Sequence, residues 1–357
     1  MDSKNQTSIG DFTLIGLTDL VEIQCIVYGI FLLFYCLTLL GNLSIMITTI
    51  RDSNLHTPMY FFLWNLSFID IGFSSVSVPK MLMDFFATRK LISFGGCMSQ
   101  ICFFHFFGTA EVMLLAVMSY DRFVAIGNPL RYILIMNSKV CLSLALSCWI
   151  SGFFHSLLHT VMTAKLPYCQ ANLVNHFFCD VSSVMKLSCS DTSTIEHFTF
   201  IEGVLCGFLP LFLTVASYID IIRSIMKIHS IKGRRKAFST CSSHLTVVTL
   251  FYGTIIFMYV RPTSKYSPAQ DKLYAAFYTT VIPMMNPLIY SMRNRDVKVA
   301  FRKMIRDVTW FSMLLNLSCV DKVFIEILTY VVGSMVALPA FVLTLTSYIF
   351  IISSILK

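Results

Sequence analysis

The chain has 357 residues, of which 56% are hydrophobic and 13% charged, against roughly 45–50% and 25% in ordinary soluble domains. Such a surplus cannot be buried in one globular core without leaving wide apolar patches in water. Length excludes a small secreted disulfide scaffold, 32 Phe and 15 Tyr exclude a disordered chain, and long uncharged runs exclude a soluble enzyme. An integral membrane protein remains, and the net charge of +8 is informative through its distribution over loops rather than as a nucleic-acid signal.

A membrane-crossing helix needs about 20 mostly apolar residues, because the hydrocarbon core is about 30 Å thick and a helix rises about 1.5 Å per residue. Runs of that kind fall near 23–50, 58–84, 97–126, 140–163, 197–226, 237–260 and 271–292. None alternates polar and apolar residues as a barrel strand does. The first 20 residues hold Asp2, Lys4, Asp11 and Asp19 and no continuous apolar stretch. They therefore read as an outer tail (1–22) before an uncleaved signal anchor, not as a cleavable signal peptide. The expected fold is an all-α membrane protein, a seven-transmembrane helix bundle.

Orientation follows from Lys and Arg in the connections. One alternate set carries Arg51, then Arg131 and Lys139, then Lys227, Lys232, Arg234, Arg235 and Lys236, then Arg293, Arg295, Lys298, Arg302, Lys303 and Arg306. The other set holds fewer: Lys4, Arg89, Lys90, Lys165, Lys186, Arg261, Lys265 and Lys272. The richer set belongs in the cytoplasm, which puts the N-terminus outside. Asn5-Gln6-Thr7 is then a glycosylation sequon on the outer tail, although similar triplets begin at Asn42, Asn65 and Asn316.

Of 12 Cys, Cys97, Cys169, Cys179 and Cys189 fall in the outer connections or at their edges, where the compartment is oxidising. Three of them share one loop far longer than the usual few residues. Disulfides would fix its shape; zinc with the nearby His176 is the rival reading, and the spacing matches no common structural-zinc pattern.

Ionisable groups at membrane depth are costly and start as functional candidates. Asp70 lies in the middle of the second run, with Asn42 and Asn286 at comparable depth in the first and seventh. That predicts a polar core with room for water or a sodium ion; interhelical hydrogen-bond glue is the plainer alternative. Asp121-Arg122 ends the third run and is followed by Phe123-Val124-Ala125-Ile126. An Arg in that apolar setting needs a partner, and Asp121 is adjacent. Glu111 and Glu202 lack an evident cationic partner in sequence. Pro210, Pro283 and Pro287 are expected to interrupt their helices.

These residues coincide with ordered strings that resemble the odorant (olfactory) receptors, a family of rhodopsin-like G-protein-coupled receptors. They are Gly41-Asn42; Leu55-His56-Thr57-Pro58-Met59-Tyr60-Phe61-Phe62-Leu63; Pro79-Lys80-Met81-Leu82; and Met118-Ser119-Tyr120-Asp121-Arg122-Phe123-Val124-Ala125-Ile126. Ser217-Tyr218, Lys236-Ala237-Phe238-Ser239-Thr240-Cys241-Ser242-Ser243-His244-Leu245 and Pro283-Met284-Met285-Asn286-Pro287-Leu288-Ile289-Tyr290 follow. The family usually has Ala at Ser119, Tyr at Phe123, Cys at Gly127 and Leu at Met285 and Met292. These departures spare the charged pair and the Asn-Pro-x-x-Tyr element.

The resemblance implies disulfides Cys97–Cys179 and Cys169–Cys189. It also implies a ligand cavity lined by His105, Gly108, Thr109 and Val112 of the third helix and Glu202 and Cys206 of the fifth. Tyr252, Ile255 and Tyr259 of the sixth helix and Ala276 and Thr279 of the seventh complete it. A mostly apolar pocket with a few polar anchors suits a small volatile odorant. Asp121, Arg122, Tyr218, Asn286, Pro287 and Tyr290 would form the switch. The partner implied is a stimulatory olfactory-type heterotrimeric G protein that raises cyclic AMP. No cofactor is expected, and membrane lipid is the solvent.

Residues 23–306 make up the expected receptor domain, and 307–357 read as an addition. Leu187-Ser188-Cys189 recurs as Leu317-Ser318-Cys319, Ile195-Glu196 as Ile325-Glu326 and Ser217-Tyr218-Ile219 as Ser347-Tyr348-Ile349, all at an offset of 130. The segment thus reads as a partial copy of the second outer loop and fifth helix, an extra C-terminal hydrophobic segment. A transporter would require paired broken helices in two halves, and an intramembrane enzyme a His-Glu-x-x-His or nucleophile motif. Neither is visible in the sequence.

Overall fold

The computed structural model describes residues 11–17, 21–169, 172–259, 268–293 and 295–314. Asn5 and the 315–357 part of the added tail lie outside the described residues. The chain divides into two compact units, one from Met1 to Val299 and a second from Ala300 to Lys357.

In the first unit the described elements are β1 (Phe12–Leu14), α1 (Val21–Arg51), α2 (Pro58–Asp84), β2 (Leu91–Ile92), α3 (Phe94–Gly127), α4 (Tyr132–Ile135) and α5 (Ser138–Ala164). Then come β3 (Leu173–Val174), α6 (Val181–Met185), α7 (Ser193–Met226), α8 (Ile231–Tyr259), α9 (Pro268–Ala276), a π-helical turn (Phe277–Val281) and α10 (Ile282–Arg293). Five of these helices are long and apolar enough to cross a membrane: α1 from Gln24, α2, α3, α5 and α7, with a shorter apolar stretch Cys241–Ile256 inside α8. The basic helix α11 (Arg295–Leu314) carries Lys298, Arg302, Lys303 and Arg306.

Local chemistry sets the helix ends. Ser93 Oγ accepts from the Gly96 amide at 3.1 Å at the start of α3, and Asn137 Oδ1 accepts from the Lys139 and Val140 amides, each at 3.1 Å, at the start of α5; both satisfy amides that the helix itself leaves unpaired. Pro58 opens α2, where its missing N–H costs nothing. Two expected interruptions are absent: Pro210 lies inside a continuous α7, and Pro287 inside α10. The third is present: the helix changes pitch just before Pro283. That residue cannot donate to the carbonyl four positions back, and the ladder widens to a π turn over Phe277–Val281.

The helices pack around α3, which contacts α2, α5, α7 and α8. Gly152 of α5 lets that helix lie close against α3: a Cβ there would sit 2.7 Å from the Phe106 carbonyl oxygen. One end of the bundle carries a three-stranded sheet in the order β2-β1-β3. In it Phe12 faces Ile92 antiparallel and Leu14 faces Val174 in parallel. Beneath it Phe12, Leu14, Ile92, Met98, Ile101, Val174 and Val184 form one buried cluster. Cys97–Cys179 and Cys169–Cys189 are disulfides, with their α-carbons 5.3 and 5.9 Å apart, so the zinc alternative for these cysteines is set aside. The loop is held further by Gln100, whose Oε1 accepts from the Cys179 amide at 3.0 Å and whose amide donates to the Val76 carbonyl at 3.1 Å.

Candidate functional site

Among the described residues, three polar clusters interrupt the apolar interior. The first lies toward the disulfide end, between α3, α5 and α7. Glu202, expected to lack a cationic partner, meets two imidazoles instead: His159 Nε2 at 2.5 Å from Oε2 and His155 Nε2 at 3.3 Å from Oε1. Sequence reading overlooked both histidines, although four residues apart on one helix they share a face. His155 Nδ1 is hydrogen-bonded to Thr109 Oγ1 at 3.0 Å. The His105 ring lies nearly parallel to that of His159 with centroids 4.6 Å apart, while its Nδ1 donates to the Ile101 carbonyl at 2.9 Å.

His105, Thr109 and Glu202 are thus brought together. Val112, Cys206 and Ile255 are partly buried, and Tyr252 is buried. A Cβ on Gly108 would lie 3.6 Å from the Tyr278 hydroxyl, joining α3 to the seventh segment. Tyr278, absent from the expected set, packs edge-on to Phe73 at 5.0 Å and against Phe251 at 5.6 Å. Ala276 packs in a cluster with Val78, Phe177 and Phe178, and the buried Thr279 hydroxyl donates to the Ala275 carbonyl at 2.9 Å. The Tyr259 side chain lies outside the described residues.

The second cluster is at mid-bundle. Asn286 Nδ2 donates to both Asp70 oxygens, at 2.9 and 3.2 Å, and Glu111 is buried with Oε1 unpartnered. Asn42 does not join the carboxylate: its amide donates to the carbonyls of Thr38 at 3.0 Å and Pro283 at 3.1 Å. The latter ties α1 to the broken seventh segment, and a Cβ on Gly41 would meet the Pro287 ring at 2.9 Å.

The third cluster is at the opposite end of α3. Arg122 pairs with Asp121, its Nε donating at 2.9 Å, and the Tyr132 hydroxyl of α4 donates to the other Asp121 oxygen at 2.8 Å. All but the last of these atoms belong to buried residues. Burial, and then Asp121, push the Tyr132 phenol above its ordinary range, so it is a fixed donor. Tyr218 of α7 is hydrogen-bonded to His244 Nδ1 of α8 at 2.7 Å, with the rings nearly parallel. The Tyr290 hydroxyl is buried without a hydrogen-bond partner. Sequence alone gives no role to Tyr132, or to His244 beyond its place in the family string, because their significance depends on which helix ends are neighbours.

The family model described as olfactory receptor matches residues 31–308. Olfactory receptor 5AR1 of Mus musculus is 50% identical over 308 residues, 85% of this chain and 98% of the relative. Its namesake of Homo sapiens is 47% identical over the same shares. Olfactory receptor 1 of Rattus norvegicus is 48% identical over 303 residues, 85% of this chain and 96% of the relative. The chain is a multi-pass membrane protein and belongs to the olfactory receptor family of seven-transmembrane receptors, which are not enzymes.

Proposed function

We propose that this protein binds a small volatile odorant among α3, α7, α8 and the broken seventh segment, and in response activates a stimulatory olfactory-type heterotrimeric G protein that raises cyclic AMP. It would do so at the plasma membrane with its N-terminus outside. The observation that carries the reading is the two-ended chemistry of α3. His105 and Thr109 meet Glu202 through the α5 histidines at one end, and the Asp121–Arg122 pair stands at the other. The 17 residue steps from His105 to Arg122 span about 25 Å of helix, most of the membrane.

Ligand-lining positions are His105, Gly108, Thr109, Val112, Glu202, Cys206, Tyr252, Ile255, Tyr259, Ala276 and Thr279. An agonist acts only through tighter binding to the active packing. In that packing Asp121, Arg122, Tyr218, Asn286, Pro287 and Tyr290 exchange partners and the ends of α7 and α8 part. The basic stretch from Lys232 to Lys236 then meets the G protein. Asp70 and Asn42 hold the polar core, where a sodium ion has suitable oxygen ligands. Residues 307–357 are an appended segment with no part in signalling. Arg122→Ala tests the reading: odorant-evoked cyclic AMP is lost while surface expression persists, and a normal response contradicts it.

A further inference from the structure

Three of the chain's eight histidines, His105, His155 and His159, gather with one carboxylate toward the disulfide end of the bundle. One donor atom from each of His155, His159 and Glu202 lies within 4.8 Å of the others. Two imidazoles four apart on one helix, faced by a carboxylate from another, are a recurrent frame for a transition metal. Thr109 engages His155 Nδ1 at 3.0 Å, which turns Nε2 toward Glu202. Metal-bound imidazoles are oriented by an outer partner in the same way. His105 stacks on His159 at 4.6 Å and limits its rotation.

We propose that His155 Nε2, His159 Nε2 and the Glu202 carboxylate bind one divalent first-row transition cation of the zinc type. Imidazole nitrogens disfavour magnesium and calcium, which take oxygen ligands. Donors on a tetrahedral zinc stand about 3.3 Å apart; His155 Nε2 and Glu202 Oε1 already stand 3.3 Å apart, and binding needs small adjustments of the remaining separations, which lie within 4.8 Å. Three protein ligands leave a fourth position for water or for an electron-donating atom of a guest. The proposal deepens the pocket reading above, since Glu202 and Thr109 belong to that pocket.

The test uses full-length receptor purified in detergent with its disulfides intact. Zinc is titrated by competition with a chromogenic chelator, and thermal midpoints are compared in Zn²⁺ and Mg²⁺. One tight equivalent is expected, weakened at least tenfold in Glu202→Gln and His159→Gln and unchanged in His56→Gln and His197→Gln, which alter exposed residues. The wild-type midpoint rises with Zn²⁺ and not with Mg²⁺, a reading independent of whether the variants fold. A tight equivalent that survives in the His155→Gln/His159→Gln double variant overturns the site, as does an unmoved wild-type midpoint. Odorant-evoked cyclic AMP, read separately, distinguishes the two claims: an intact response in a receptor that binds no zinc removes the metal and leaves the receptor function standing.

Discussion

Asn286 donates to both oxygens of Asp70, at 2.9 and 3.2 Å, and so ties α10 to α2 across 216 positions of sequence. Both side chains are buried. An interhelical hydrogen bond in a membrane contributes about 0.6 kcal/mol on average, with a maximum near 1.7. Leaving a carboxyl without its donors costs about 1–3 kcal/mol. Asn286→Ala is therefore expected to destabilise the receptor by about 1–2 kcal/mol, read as a lowered thermal midpoint in detergent. An unchanged midpoint would mean that water replaces the amide fully.

Helix spacing yields a second expectation. A methyl on Gly152 would press on the Phe106 carbonyl at 2.7 Å, whereas one on Gly29 of α1 meets nothing within 4 Å. Overpacking of this kind costs about 1–3 kcal/mol. Gly152→Ala should reduce both surface expression and thermal midpoint, and Gly29→Ala should leave both near the wild-type level. Equal behaviour of the pair would show that α3 and α5 are not in such close contact.

Basal signalling should respond to Tyr132. Its hydroxyl holds Asp121 at 2.8 Å, and a hydrogen bond to a charged partner contributes about 1.5–3 kcal/mol. If that bond exists in the resting packing alone, Tyr132→Phe shifts the equilibrium toward the active one by about tenfold or more. Ligand-free cyclic AMP is expected to rise at matched surface expression. No change would assign the bond equally to both packings, and a fall would assign it to the active one; either result contradicts the expectation.

The loop between α5 and α7 should weaken in mild acid. His176 is buried between the Phe177 and Phe178 rings, with centroids at 4.7 and 4.5 Å, and its Nδ1 accepts from the Phe178 amide at 3.4 Å. Burial lowers its pKa below the ordinary histidine value of 6.5, against a smaller opposing pull from Asp180; Lys272 lowers it further and Asp271 opposes. The folded loop thus holds the neutral ring. Its stabilisation is complete above the unfolded pKa, about 6.5, and declines as pH falls below it, because the unfolded chain takes up the proton first. The protection factors of the Phe178 and Cys179 amides, which allow for the intrinsic slowing of exchange in acid, should fall as pH drops below about 6.5, and His176→Gln should flatten that dependence.

Much of this was legible in the sequence. Run length gives the membrane-crossing segments without reference to packing, and the ordered strings from Gly41-Asn42 to Tyr290 give the family. What sequence could not supply was proximity between distant helices. Glu202 has no partner legible in sequence because its histidines lie 43 and 47 positions away, and only the packing of α5 and α7 beside α3 brings them together. The proline expectation held at Pro283 and failed at Pro210 and Pro287 for a related reason. Proline costs one hydrogen bond wherever it falls, but tertiary neighbours decide whether the helix bends, continues as α7 does through Pro210, or opens as the seventh segment does before Pro283.

The central claim is that a guest recognised at the disulfide end is reported at the Asp121–Arg122 end. Its most direct test is a panel of volatiles applied to cells with a cyclic AMP reporter, comparing wild type, Glu202→Gln and Arg122→Ala at matched surface expression. Glu202→Gln is expected to shift the odorant concentration for half response while keeping the maximum, and Arg122→Ala to remove the maximum. An undiminished maximum in Arg122→Ala, or an odorant-gated ion conductance without cyclic AMP, would contradict the account.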